Sequence, residues 1–201
     1  MSHKSVDLLI VKPGSQQKLY GDLSKTLTGL EPPLWAALLA AYVRKAGYSV
    51  KMIDMEIEPE KLLSLLSESQ PRLMAITVSG TNPSASTMNM IGARAVLEEI
   101  KGLGNDIPTI LMGLHPSSLP EMTLEEEPVD MVCQGEGFVT LAGLLSDPQN
   151  KNIKGLWHRQ VGEIKGNPMA ELVDPDELPL PAFDLLPMRE YRAHNWHSWT
   201  N

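Results

Sequence analysis

Apolar and polar positions fall in alternating blocks along the chain. Five runs with little polar interruption, "VDLLIVK" (6–12), "YSVKMIDM" (48–55), "RLMAITVS" (72–79), "PTILMG" (108–113) and "VDMVCQG" (129–135), are separated by longer stretches with helical spacing. Short apolar runs of this kind predict strands buried on both faces. Between them, residues 34–47 predict a helix with Leu34, Leu38, Ala41 and Tyr42 on one face and Gly47 placed to end it. Residues 59–69 predict a second helix, opened by Pro59 and carrying Leu62, Leu63 and Leu66 on one side. Further helices are predicted within 85–104, over the short acidic segment 119–127, and over 137–146. Residues 13–33 are polar, exceed an ordinary strand-to-helix connection, and read as a long loop.

Strands alternating with helices imply a parallel sheet covered on both faces. The predicted fold is α/β and doubly wound, Rossmann-like, with a parallel five-stranded sheet in the flavodoxin-like order 2-1-3-4-5. After residue 147 the alternation stops. Residues 153–168 predict a hairpin around Val161 and Gly162, and the proline-rich remainder predicts an extended arm with a turn at 184–191. The expected organisation is therefore a Rossmann-like domain over 1–150 and a hairpin with a linker arm over 151–201, with no internal repeat beyond the strand–helix alternation.

Composition narrows the function. In 201 residues, 42% hydrophobic and 21% charged side chains supply a packed core. The net charge of −8, with no basic cluster, argues against a nucleic-acid partner. No apolar run approaches the ~20 residues of a membrane span, and the first, six residues long, is a strand and not a leader. The expectation is a cytoplasmic protein with no membrane partner. One cysteine, Cys133, excludes an internal disulfide and cannot by itself hold a three- or four-cysteine cluster; it reads as a buried, inert thiol.

In a 2-1-3-4-5 sheet, the loops after strands one, three, four and five converge at the carboxyl ends, where ligands bind at the switch in strand order. Here these are residues 13–33, 79–86, 113–118 and 134–137, rich in glycine, proline and small hydroxylated residues. Small residues let backbone amides approach a large ligand, and hydroxyls reach its edge. Ser79, Gly80 and Thr81 either cap the following helix or line a ligand pocket. Gly113, Gly135 and Gly137 serve tight turns, form a ligand floor, or both. His115, with Leu114 and Pro116, either contacts a ligand or hydrogen-bonds within its turn. Glu136 either accepts from a ligand or sits in the first turn of a helix, where the dipole favours it.

Three segments, "GLEPPLWAALLAAYVRKAGYSVKMID", "MGLHPSSLPEMTLEEEPVDMVCQGEGFVTLAGLL" and "LPLPAFDLLPMREYRAHNW", resemble in this order the amino-terminal region of cobalamin-binding radical S-adenosylmethionine proteins. The resemblance spans nearly the whole chain. It implies a cobalamin-binding domain of a radical enzyme, a methyltransferase, that presents cobalamin to a catalytic β/α barrel. That barrel would carry a four-iron, four-sulfur cluster on a Cys-x-x-x-Cys-x-x-Cys motif and bind S-adenosylmethionine. The motif does not occur here, so the chain is expected to be a fragment or excised domain that does no radical chemistry alone. The implied cofactor contacts are Ser79, Gly80, Thr81, Gly113, Leu114, His115, Pro116, Gly135, Glu136 and Gly137. The better-known cobalamin domains supply a histidine ligand from Asp-x-His-x-x-Gly after strand one. Here "KPGSQQ" follows, so no protein histidine ligand to cobalt is expected, a state that favours methyl transfer.

Other features carry blander readings. The methionines fill the core. His194 and His197 have i, i+3 spacing but no further ligand beside them. Tyr191, Trp196 and Trp199 are expected to pack on the absent barrel. Two alternatives to cobalamin remain at this point. One is a degenerate Rossmann-like scaffold or interaction domain with no cofactor. The other is a nucleotide or flavin binder, against which stands the lack of Gly-x-Gly-x-x-Gly after strand one and of a Walker motif.

Overall fold

The computed structural model describes residues 5–79 and 83–192. Its elements follow the predicted alternation. They are β1 (Leu8–Lys12), α1 (Gln16–Tyr20), α2 (Ser24–Leu27), α3 (Leu34–Lys45), β2 (Val50–Asp54), α4 (Leu62–Ser69), β3 (Leu73–Val78), α5 (Pro83–Gly102), β4 (Thr109–Gly113), α6 (Leu114–Ser118), α7 (Pro120–Glu126), β5 (Met131–Cys133), α8 (Phe138–Ser146), β6 (Leu156–Gln160) and β7 (Glu163–Gly166).

The sheet order is β2-β1-β3-β4-β5-β6-β7. The first five strands are parallel and follow the expected 2-1-3-4-5 order. The sheet nevertheless has seven strands and mixed orientation, which corrects the five-stranded parallel expectation. The 153–168 hairpin forms around Val161 and Gly162 as predicted. It does not stand apart, because β6 pairs antiparallel with β5 through Met131↔His158 and Cys133↔Leu156.

Every residue of β3, and every residue of β1 except its last, is buried, as strands covered on both faces require. On one face, Leu8, Ile10 and Ala75 meet the alanines of α3 and Phe138 of α8. On the other, Leu9, Val11, Met74 and Ile76 meet Val96 and Leu97 of α5 and Leu66 of α4. The buried side of α3 is Ala36, Ala37, Leu39, Ala40, Ala41 and Val43, whereas Leu34 is exposed. Of the predicted face, Ala41 is buried and Leu38 and Tyr42 pack partly buried against the core, but its centre is made by small alanines, which let α3 and the arm approach closely. Trp35 and Tyr42 tilt against Phe138 with ring centroids at 5.0 and 5.2 Å, closing the α3–α8 seam. In α4, Leu62 and Leu66 are buried while Leu63 is exposed.

Two predicted loops are helical. Residues 13–33 fold into α1, a 3-10 turn (Gly21–Leu23) and α2, and "LHPSS" forms α6. The arm belts the α3 face. Val173 N–H donates to Glu136 at the carboxyl end of β5, Ala182 N–H donates to the Ala37 carbonyl, and Arg44 grips Asp184 with both carboxylate oxygens at 2.8–2.9 Å. A 3-10 turn at Phe183–Leu185 sits near the start of the predicted 184–191 turn. Leu30 and Arg192 then exchange backbone hydrogen bonds, so the arm also ends at the carboxyl rim. Among the described residues no helix is long and apolar enough to cross a membrane.

Gly113 ends β4 with φ +129°, and a Cβ there would lie 2.0 Å from the Val78 carbonyl oxygen. Gly113→Ala is therefore expected to destabilise the fold by about 3 kcal/mol or more, read as a lowered denaturant midpoint. At the opposite end, Asp7 accepts from the Ser49 hydroxyl and amide at 2.6 and 2.9 Å and from Arg72 at 2.8 Å. The Ser49 hydroxyl first, then its amide, with Arg72 adding, hold this carboxyl below its ordinary range. A depressed folded pKa contributes stability above the unfolded value, about 3.9, and loses it as pH falls through the folded value. Thermal melts of wild type and Asp7→Asn should differ most at neutral pH and converge as pH falls through the lowered folded value.

Candidate functional site

The carboxyl ends of β1, β3, β4 and β5 form one rim. Register sets Val78 beside Gly113 and Leu111 beside Val132, so the loops after β3, β4 and β5 leave the sheet as neighbours. Adjacent strands lie about 4.8 Å apart, so these exits crowd within roughly 10 Å. Ser79, Gly113, Leu114, His115, Pro116, Gly135, Glu136 and Gly137 are all brought to this rim. Gly80 and Thr81 lie outside the described residues, as do His194, Trp196, His197 and Trp199.

The rim is tied together by hydroxyls that sequence reading passed over. Ser86, buried in the first part of α5, donates to the Val78 carbonyl at 2.5 Å and accepts from the His115 amide at 3.0 Å. One hydroxyl thus joins β3, α5 and α6. Ser117 accepts from the Gly135 amide at 2.8 Å, joining α6 to the loop after β5. His115 Nδ1 lies 3.0 Å from the Thr87 hydroxyl, so the imidazole bridges α6 to α5. Pro116 is buried, whereas Leu114 stands exposed at the start of α6.

The β1 side is closed by a second network. Gly14 and Gly92 meet at a close crossing: a Cβ on Gly92 would lie 2.5 Å from the Gly14 carbonyl oxygen. Ser15, buried, donates its hydroxyl to Asn89 at 2.5 Å, and Asn89 donates in turn to the Ser79 carbonyl at 2.9 Å. The amides of Ser15 and Gln16 both donate to one oxygen of Glu56, at 2.6 and 2.9 Å. Lys12 pairs with the buried Asp54 at 3.0 Å, and Asp54 also accepts from the Tyr191 hydroxyl at 3.1 Å. Burial first, then the Asp54 charge, pushes the Tyr191 phenol far up, so it stays a donor. Tyr191 therefore packs within this chain, a correction to its assignment to an absent barrel.

The glycines divide by role. Gly113 answers to the approach of β3. At Gly137 a Cβ would collide with the Met112 methyl, so the α8 start is set by core packing. At Gly135 a Cβ would meet only Met169, a long side chain of the arm, so this position opens toward the rim. Glu136 accepts from Val173 N–H and anchors the arm. Cys133 is fully buried, and burial pushes its thiol up to about 11, which suits an inert core residue. Chemically, the described part of the rim offers partly buried amides and hydroxyls, the His115 imidazole beside the Thr87 hydroxyl, and the apolar Leu114.

Comparison with known proteins follows the same geometry. The B12 binding domain family matches residues 22–145, from the cap after β1 to α8. A Pyrococcus horikoshii protein named uncharacterized methyltransferase PH0819 is 30% identical over 200 residues, covering 94% of this chain and 41% of that protein. An anaerobic magnesium-protoporphyrin IX monomethyl ester cyclase of Cereibacter sphaeroides is 27% identical over 168 residues, covering 75% of this chain and 26% of the cyclase. The chain thus spans less than half the length of these curated relatives. Among solved structures, the cobalamin-dependent S-adenosylmethionine radical enzyme OxsB with aqua-cobalamin and S-adenosylmethionine bound superposes with a TM-score of 0.68 at 21% identity, over 90% of this chain and 24% of OxsB. The radical S-adenosylmethionine methyltransferase TsrM from Kitasatospora setae, with cobalamin and a [4Fe-4S] cluster bound, gives 0.62 at 19% identity, over 82% of this chain and 31% of TsrM. These likenesses share the fold, and the family match covers well over half the chain, through the loops that build the rim: the chain belongs to the B12-binding domain family.

Proposed function

We propose that this chain is the cobalamin-holding part of a B12-dependent radical S-adenosylmethionine enzyme, a methyltransferase, and that its rim presents the cofactor to a catalytic barrel on the same polypeptide. The observation that carries this reading is the convergence of the loops after β1, β3, β4 and β5 on one rim within a chain of the B12-binding family. The relative named a methyltransferase and the likeness to OxsB and TsrM support the enzyme class. In this reading the iron–sulfur cluster and S-adenosylmethionine belong to the barrel, and residues 151–192 link the two parts.

The residues present fit a broad, flat ligand. Ser79, His115 and Gly135 would hold it, with Leu114 supplying apolar contact and the exposed edge of the His115 ring a hydrogen bond. The Ser86 and Ser117 bridges would keep these contacts in place before the ligand arrives, which lowers the ordering cost of binding. Gly80 and Thr81 would complete the wall beside Ser79. Cobalamin bound there would supply a carrier for a methyl group. No imidazole stands on the loop after β1: Ser15 occupies that stretch, its hydroxyl committed to Asn89 and its amide to Glu56. The lower face of the metal would then take no protein nitrogen. The arm meets the rim at two points, through Glu136 and through Arg192.

Titration with hydroxocobalamin, followed by visible absorption, tests the reading. Saturable binding is expected at about 10 μM or tighter. Leu114→Asp should weaken it about tenfold with little change in melting temperature, because Leu114 is exposed. His115→Ala should leave the metal's spectrum unchanged, since His115 is not a cobalt ligand. Absence of binding, in the longest form of the protein as well, would favour the scaffold reading.

Ser86→Ala separates rim order from direct contact. It removes one donor and one acceptor from buried partners, and a loss of about 2 kcal/mol in unfolding free energy is expected. Cobalamin affinity should fall as well, although Ser86 is buried beneath the rim.

A further inference from the structure

A cleft of about 650 Å³ lies at the amino ends of β4, β5 and the neighbouring end of β6. It is the far end of the sheet from the rim: β4 enters it at Thr109 and reaches the rim at Gly113, about 15 Å away at strand rise. The volume falls in the range of small-molecule sites.

One wall is apolar, made by Ile100, Ile107, Pro108 and Met131. The other carries charge. Lys101, Lys151 and Arg159 face Asp106 and Asp130, three cations against two carboxylates, within a chain whose net charge is −8. One carboxylate is already engaged: an Asp130 oxygen accepts from the Thr109 amide and hydroxyl at 2.8 and 2.7 Å. Arg159 donates to the Leu124 carbonyl. Lys101 and Lys151 have no ion pair among the described residues. His158 also lines the cleft and is only 4% exposed. Its Nδ1 lies 3.2 Å from the Arg159 carbonyl, which can only accept, so Nδ1 carries a proton, and in the tautomer protonated there alone Nε2 is an acceptor. Nε2 has no protein partner among the described residues.

We propose that this cleft is a second ligand site, separate from the cobalamin rim, for a small organic anion: an acidic head group on Lys101 and Lys151, an apolar body against Ile100, Ile107 and Met131, and a donor group read by His158. A purely inorganic anion would leave the apolar wall wet. A neutral apolar molecule would leave the two ammonium groups unanswered.

The experiment is an amide and imidazole NMR titration of the isotopically labelled protein, with phenyl phosphate, inorganic phosphate and phenol as separate probes. Phenyl phosphate should shift Ile107, Asp130 and the His158 ring saturably, with half-saturation below about 10 mM. Inorganic phosphate should bind at least about threefold more weakly, and phenol should not saturate. Lys101→Glu combined with Lys151→Glu should weaken phenyl phosphate about tenfold and leave the hydroxocobalamin titration unchanged. If that variant does not fold, Lys151→Gln alone is read the same way. The proposal is overturned if phenyl phosphate does not saturate, if its shifts map to the rim, if inorganic phosphate binds as well, or if the lysine variants bind like wild type. Because cobalamin binding is measured separately, failure here leaves the reading of the rim intact, and the converse also holds.

Discussion

The rim depends on one contact between strands. The Val78 carbonyl at the end of β3 lies so near Gly113 that no side chain fits between them, and the Ser86 hydroxyl caps the same carbonyl from α5. A buried carbonyl without a partner costs about 1–3 kcal/mol, so this bond is strongly selected by the fold. Because Ser86 also takes the His115 amide, the start of α6 is pinned to the position of α5. The end of β3, the first part of α5 and the start of α6 are therefore tied together through one hydroxyl. Through Ser117 and Gly135 the same coupling reaches the loop after β5. A site assembled from several loops is normally soft. Here each loop is fastened to its neighbour by a side chain beneath the surface.

That fastening explains which parts of the molecule were legible in the sequence. The strands were, since runs such as Leu8–Val11 and Leu73–Val78 must be buried on both sides and nothing else in the pattern competes. Their order followed from the parallel alternation. The membership of β6 in the sheet was not legible, because pairing with β5 is a long-range choice made by whichever edge is open, not by the residues of the hairpin. The helical cap over 16–27 was not legible either. Its Tyr20 and Leu23 stay exposed, and hydroxyl bonds help to hold it, from Ser24 to the Gly21 carbonyl and from Thr28 to the Ser24 carbonyl.

The site was half legible for a related reason. Glycine and histidine beside the ends of apolar runs mark the rim from composition alone. The residues that fix its geometry, Ser86, Ser117, Asn89 and Glu56, are ordinary polar residues whose partners lie 8 to 74 positions away. No local spacing announces them. At Glu136 the sequence left a ligand role and a helix-turn role open, and the contact it could not announce is the one from the arm, the Val173 amide donating to one carboxylate oxygen.

The two ends of the sheet differ in how they treat charge. At the rim, the buried Asp54 is answered by Lys12 and Tyr191, and Glu56 by backbone amides. These carboxylates have their hydrogen bonds met within the chain, so a large neutral-edged ligand can settle without leaving them unpartnered. At the amino end, Lys101 and Lys151 are left unanswered beside an apolar wall. In a chain with an excess of carboxylates, counter-charges for two lysines are plentiful, so their isolation follows from placement and not from shortage. A cleft whose lysines form no ion pair among the described residues, although Asp106 and Asp130 share its lining, and which shelters apolar area, is electrostatically open to an anion from outside.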